Sequence, residues 1–136
     1  MTYEDLRRLA RQTNWEKSRL LHILLKKVFE IIDEDDFVNA YVKHLFSDDN
    51  NELELYILSE KEKLIVAKYL LAEKAAVITI LDTADIESVE VRSTEENQEL
   101  TIHFTSGDNI YFNSCENWDC DYKNYITDFT RSLYKL

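Results

Sequence analysis

Two kinds of hydrophobic pattern divide the chain. Up to residue 46, apolar residues recur every three or four positions, which is the period of an amphipathic helix. From residue 53 to 113, β-branched and alternating residues form short runs between charged turns, which is typical of strands. Helical spacing returns after residue 117. The pattern predicts an α+β fold with N-terminal helices, an antiparallel sheet and a C-terminal helix.

The first two predicted helices begin with capping-box spacing. Thr2 and Asp5 begin a short first helix, and Thr13 and Glu16 begin a longer one that ends near Ile32. The apolar residues of the longer helix form a wide face, made of Leu20, Leu21, Leu24, Leu25, Val28, Ile31 and Ile32.

A third helix is predicted over residues 37–46, because its apolar residues keep the helical spacing. Its apolar stripe is rotated by roughly 90° from that of the helix before it, so we expect a break between the two. The acidic run 33–36 suits the N-terminus of a new helix.

Short connections between six predicted strands favour an antiparallel meander, because they leave no room for crossover helices. The strands are expected near 53–58, 63–71, 75–82, 86–93, 99–105 and 109–113. In the last hairpin, shared apolar faces require an odd loop, and the simplest one, 106–108, pairs Phe104 with Ile110. Gly107, the one glycine of the chain, lies where a positive φ is needed.

A closing helix is predicted from about Asn117 to Lys135. Asn117 is a suitable cap, and the acidic and basic residues of the segment match the helix dipole. The stripe expected to lie on the sheet consists of Trp118, Tyr122, Tyr125, Ile126, Phe129 and Leu133.

The region from Tyr56 to Leu136 resembles a bacterial pleckstrin-homology-like (PH-like) domain. Four segments carry the resemblance. They are the strand residues 56–59 followed across a charged turn by the apolar residues 64–66, the start of a strand at 85–91, the hairpin 100–112 and the helix after it. It implies a bent antiparallel sheet or barrel of six or seven strands, in a fold that mostly binds and rarely catalyses. We expect a single domain over 1–136, with 1–46 as a helical extension and 53–136 as the PH-like region.

Charge is unevenly distributed along the chain. Residues 1–46 carry eight Lys/Arg and eight Asp/Glu, whereas residues 47–136 carry eight and 19, so the second part holds the whole net charge of −11. Such a field repels phosphates and anionic lipids, so binding of nucleic acid or membranes is not expected. The resemblance also places a lipid-gripping loop at 59–63, which here has two acids and two bases instead of a basic cluster.

The cysteines and the N-terminus favour a cytoplasmic protein. Cys115 and Cys120 form no CxxC pair and are expected to be reduced thiols. The N-terminus lacks the apolar stretch of a signal peptide, and the longest apolar run is far shorter than a membrane span of about 20 residues.

No residue pattern predicts a catalytic, cofactor or metal site. The histidines are scattered over three elements, and the acids near residue 50 lack the glycine bend and final glutamate of an EF-hand. A single glycine excludes a glycine-rich phosphate loop. The residues in question are His22, His44, His103, Asp48, Asp49, Glu52 and Glu54.

Arg7, Arg8 and Arg11 are the candidate partner-binding residues, because they form the one basic cluster on the first helix. They either dock that helix onto the acidic strand region or contact another molecule.

We expect a non-catalytic interaction module that binds a protein or peptide, or associates with itself. The alternative is a small acidic neutraliser, such as an immunity-type protein or a nucleic-acid mimic, and an enzyme is the least expected class. Scattered acids around an apolar groove favour the module, and a contiguous acidic face favours the mimic.

Overall fold

The computed structural model describes residues 1–12, 16–45, 52–117 and 122–136. In chain order, its helices and strands are α1 (Tyr3–Ala10), α2 (Glu16–Val28), β1 (Phe37–Lys43), β2 (Glu54–Ser59), β3 (Lys63–Leu70), β4 (Ala75–Asp82), β5 (Ile86–Ser93), β6 (Gln98–Phe104), β7 (Asn109–Asn113) and α3 (Tyr122–Lys135). The α+β class is confirmed, with helices at both ends of the described strand region.

The N-terminal helices follow the predicted patterns closely. The capping box of α1 is present: the Asp5 amide donates to the Thr2 hydroxyl at 3.1 Å, and the Thr2 amide donates to the Asp5 carboxylate at 3.0 Å. In α2, the predicted apolar face is buried as far as Val28, where the helix ends. The following turn bonds back to it, with the Ile32 amide donating to the Val28 carbonyl at 3.0 Å. The predicted cap at Thr13 lies outside the described residues.

The predicted third helix is wrong, because its residues form strand β1. The acidic run 33–36 forms a short 3-10 turn, and the strand begins directly after it. Four consecutive residues of β1, Asn39 to Val42, are buried. Burial on both faces removes the alternation that marks a half-exposed strand, and the spacing then imitates a helix. The division at residue 46 into a helical extension and a strand region is wrong for the same reason.

The six predicted strands are confirmed, and β1 adds a seventh in the described ranges. They form two antiparallel sheets, sheet A in the order β1-β2-β3-β4 and sheet B in the order β5-β6-β7. The last hairpin pairs Ile102 with Ile110, two residues away from the predicted register, although the shared apolar face is as predicted. The Phe104 amide donates to the Asp108 carbonyl at 3.0 Å, which closes a loop over 105–107 that contains Gly107 at φ +94°.

The inner strands of sheet A, β2 and β3, are covered on both faces and form the centre of the molecule. Leu55–Leu58 in β2 and Leu64–Ala67 in β3 are buried at every position, which requires a cover on each side. Helix α2 packs on β3 and β4, and α3 packs on β1 and β6. The predicted stripe of α3 faces the core, with Tyr122, Ile126 and Phe129 fully buried. The predicted start at Asn117 belongs to a 3-10 turn, and Trp118 lies outside the described residues.

An aromatic cluster joins sheet A, sheet B and α3. The ring of Phe112 on β7 stacks on Tyr41 of β1 at a centroid distance of 4.3 Å. It meets Tyr56 of β2 at 4.7 Å and Phe129 of α3 at 5.2 Å, both edge-on. These edge-on and stacked geometries are the favoured ones for aromatic pairs. The cluster fixes the position of α3 and leaves the opposite margin of sheet B, strand β5, without such a cover.

Candidate functional site

Strand β5 is the most exposed strand of the described structure. It forms one margin of sheet B, with β6 as its pairing neighbour. Seven of its eight residues are exposed, and only Ile86 is partly covered. A strand at a sheet margin presents unpaired amide and carbonyl groups, which makes it a template for a further strand.

Two valines of β5 extend the apolar core face of sheet B to its margin, where they remain exposed to solvent. Val89 pairs with Ile102, and Val91 pairs with Leu100. Both partners on β6 are fully buried, whereas Val89 and Val91 remain 39% and 45% exposed. Because directly paired residues lie on the same face of a sheet, these valines are on the core face yet open to solvent.

An apolar groove of about 400 Å³ runs between β5 and the C-terminal half of α3. On one side it is lined by Thr83, Ile86, Val89 and Val91, and on the other by Thr130, Leu133, Tyr134 and Leu136. We name this cavity the β5–α3 groove. The patterns of β5 and α3 were each predicted, but the groove depends on how far apart the two elements sit, which no local pattern contains.

The segment that contains β5 is acidic. Residues 85–96 carry five Asp/Glu residues and one Arg, with two of the acids, Glu87 and Glu90, in the strand itself. That arginine, Arg92, lies 3.8 Å from the Glu99 carboxylate on the neighbouring strand. The surroundings of the groove therefore favour a cationic partner.

The three predicted arginines do not act as one group. Arg8 forms an ion pair with Asp5 of its own helix at 3.3 Å. Arg7 and Arg11 line a cleft between α1 and α2 instead. No described ion pair joins any of the three to the strand region, so a dock onto that region through these arginines is not seen in the described residues.

A charged network lies where β1 meets β7. The Lys43 ammonium donates to the Tyr111 carbonyl at 2.7 Å and lies 3.6 Å from the Glu116 carboxylate. Burial raises the pKa of Glu116, and the attraction of Lys43 offsets only part of this effect. Burial also acts on Glu54, but the pKa of Glu54 is lowered because Tyr56 donates to it at 2.7 Å and two lysines attract it. The hydrogen bond of Lys43 joins the two sheets, and its ion pair with Glu116 ties the 3-10 turn after β7 to β1.

The remaining candidate residues of the described ranges lie in separate places. Glu52 accepts the Leu71 amide at 3.1 Å, and His103 lies 2.8 Å from the Asn109 side-chain oxygen. The free Cys115 thiol is exposed, whereas Asp48, Asp49 and Cys120 lie outside the described residues. His44 follows β1 with φ 65°, and His22 lines the α1–α2 cleft. In the described ranges, no group of three His, Cys, Asp or Glu side chains is placed to hold a metal ion.

The loop that the resemblance assigned to lipid contact occupies a different place. Residues 59–63 connect β2 to β3, because β1 precedes them. Its two lysines are engaged, Lys61 with Asp36 at 3.3 Å and Lys63 with Asp82 at 2.9 Å. The connection between the first two strands is 44–53, whose sequence contains three acids and no Lys or Arg.

The architecture defines an α+β protein with two antiparallel sheets and a closing C-terminal helix. A family model described as "Protein of unknown function (DUF3908)" matches residues 7–131, and the chain belongs to this family. No curated protein and no solved structure matches the chain. Within the described residues, no helix combines the length and apolar character needed to cross a membrane.

Proposed function

We propose that this protein is a non-catalytic interaction module that binds an extended, positively charged segment of a partner polypeptide along β5. The observation that carries the proposal is the open margin of β5 beside an apolar groove. In strand addition, backbone hydrogen bonds supply affinity, while pockets for alternate side chains supply specificity. Val89 and Val91 are spaced to receive two alternate apolar side chains of the added strand.

The acidic residues in and around β5 favour a positively charged partner rather than a second copy of this chain. Two copies that paired through β5 would bring the acidic segments 85–96 together, and like charges on adjacent strands are destabilising. A basic segment would instead be attracted at each acidic position, which speeds association and favours the correct register. The groove with its bordering acids also matches the arrangement expected of the module.

The two-sheet arrangement supports the PH-like resemblance as part of this proposal. Sheets of four and three strands with a closing helix agree with the seven-stranded form of that fold. The groove lining offers threonine and tyrosine hydroxyls but no paired carboxylates or histidine, which favours binding over catalysis. A cytoplasmic location belongs to the same proposal and is supported by the exposed thiol of Cys115.

Peptide display on the immobilised full chain tests the proposal. Selection from a library of random linear peptides is expected to enrich sequences with apolar residues at alternate positions and with Lys or Arg between them. The selected peptides are then titrated against the wild type and against Val91→Lys, which places a cation in the groove. Val91→Lys is expected to weaken binding at least tenfold.

Val77→Lys is the matched control for this titration. Val77 lies on β4, is 43% exposed against 45% for Val91, and is not in the groove lining. This control is expected to change the affinity less than twofold. Enriched peptides that are acidic or lack alternation, or equal losses in both variants, would overturn the proposal.

A further inference from the structure

A second cleft lies between α1 and α2 and has no part in the proposed β5 interaction. Its volume is about 370 Å³. Arg7 of α1 and Arg11, the helical C-cap of α1, line it on one side, and His22 and Lys26 of α2 line it on the other. Because residues four positions apart lie on the same face of a helix, each helix presents its basic pair to the same space.

The wall of this α1–α2 cleft is aromatic and held in place. The Tyr3 ring meets Phe29 edge-on at a centroid distance of 5.6 Å and Phe37 at 5.8 Å. The guanidinium of Arg7 lies 5.6 Å from the centre of the Tyr3 ring, a cation–π contact. Arg7 is therefore positioned at the cleft by its own helix, with its charge still available to a ligand.

The cations of the cleft differ from their sequence neighbours in their partners. Arg8 pairs with Asp5 at 3.3 Å and Lys27 pairs with Glu30 at 3.6 Å. No ion pair within the described ranges neutralises Arg7 or Lys26, although the protein carries a net charge of −11.

Glu34 is the acidic residue of the lining, and its single charge does not balance the cations that line the same space. With two arginines and a lysine facing one carboxylate, the cleft keeps an excess of positive charge.

We propose that the α1–α2 cleft binds a small organic anion. Its carboxylate or phosphate group would be held by Arg7, Arg11 and Lys26, since guanidinium groups bind such oxyanions through paired hydrogen bonds. Its apolar body would rest on Leu25 and Phe29, which line the same space. The volume lies in the range of about 300–1,000 Å³ that is usual for small-molecule sites.

Fluorescence titration with 8-anilinonaphthalene-1-sulfonate, an aromatic anion, tests the site on the full chain. The wild type is expected to bind the probe saturably, and Arg7→Gln/Lys26→Gln is expected to weaken it at least tenfold. The matched control, Arg8→Gln/Lys27→Gln, removes the same charges one residue further along the same two helices. This control is expected to bind within about twofold of the wild type, because neighbouring helix positions are about 100° apart.

Two further measurements locate the probe and separate this proposal from the β5 interaction. N-phenyl-1-naphthylamine, which has the aromatic body without the sulfonate, is expected to bind at least tenfold more weakly to the wild type. If the double variant is unfolded by circular dichroism, Arg11→Gln alone replaces it. Equal losses in the test and control variants would overturn the site. So would a signal lost in Val91→Lys but kept in Arg7→Gln/Lys26→Gln, because the probe would then occupy the β5–α3 groove.

Discussion

Phe129 shows how one residue of α3 links the closing helix to both sheets. Its side chain is fully buried and meets Phe112 edge-on at 5.2 Å, while Phe112 in turn stacks on Tyr41. Truncation at this position removes buried aromatic surface and leaves a cavity between layers that cannot collapse freely.

Phe129→Ala is expected to lower the free energy of unfolding by about 3–5 kcal/mol. Chemical denaturation followed by circular dichroism measures the loss. Tyr134→Ala on the same helix is the control, since Tyr134 is 90% exposed and should cost less than about 0.5 kcal/mol. Similar losses in the two variants would show that α3 presents a different face to the core.

The buried carboxyl of Glu116 makes the folding stability fall as the pH rises. Burial raises the pKa of its carboxyl, so the folded protein holds this proton more tightly than the unfolded chain does. The resulting stabilisation is complete below the unfolded pKa of about 4.3. It is lost as the pH rises through the raised folded value.

Glu116→Gln is expected to be more stable than the wild type by an amount that grows with pH, because glutamine carries no charge at any pH. Urea unfolding at constant ionic strength from pH 4 to pH 8 measures the difference. Lys43 keeps its 2.7 Å hydrogen bond to the Tyr111 carbonyl in the variant, which limits the cost of losing its ion pair. A difference that is constant or shrinks with pH would contradict the assigned shift.

At the scale of elements, β2 and β5 are opposite extremes. Strand β2 lies between β1 and β3 and is buried over five of its six residues. Strand β5 pairs on one side in the described structure and is exposed over most of its length. Local opening is easiest where few apolar contacts are lost and backbone hydrogen bonds face solvent.

Amide hydrogen exchange is expected to be at least tenfold slower in β2 and β3 than in β5. Exchange measured by mass spectrometry on peptides from native protein resolves these strands. Addition of a display-selected peptide is expected to slow exchange in β5 and leave β2 unchanged. Exchange in β5 as slow as in β2 before any peptide is added would show that its margin is already covered.

The same contrast explains which elements the sequence could predict. Strands β4 to β7 alternate or stand between charged turns, so their local pattern was sufficient. The apolar residues of 37–46 keep a helical spacing, and this local preference is outweighed by the pairing of β1 with β2 in sheet A. The hairpin at Gly107 was predicted in part. The alternation of apolar residues predicts which face β6 and β7 share, but the register depends on the hydrogen bonds of the turn itself.

The candidate sites were predictable only in part, because they depend on distances between elements. Arg7 and Arg11 were singled out by charge, but their separation from Arg8 required the position of α2. The open valines of β5 could have been suspected from their pairing with the apolar residues of β6. No sequence signal, however, shows that α3 stops short of covering them.

At the scale of the whole molecule, the distribution of charge opposes binding to anionic membranes. Each basic residue near such a surface contributes only about 1 kcal/mol. Arg7 and Arg11 line a cleft and Arg8 is paired with Asp5, so this helix does not present three free cations to a flat surface. A small anion can enter the cleft, whereas a membrane meets the field of a protein with net charge −11.

We therefore expect no appreciable pelleting of the full chain with phosphoinositide-containing vesicles at about 150 mM salt, where the Debye length is about 8 Å. The sequence of the connection 44–53 between the first two strands contains three acids and no Lys or Arg. Co-sedimentation measures the bound fraction, and vesicles of neutral lipid give the background. An Arg7→Ala/Arg8→Ala/Arg11→Ala variant serves as the comparison and should behave like the wild type. Clear pelleting of the wild type that disappears in this variant would contradict the expectation, because it would show that α1 reaches the membrane despite the acidic remainder of the chain.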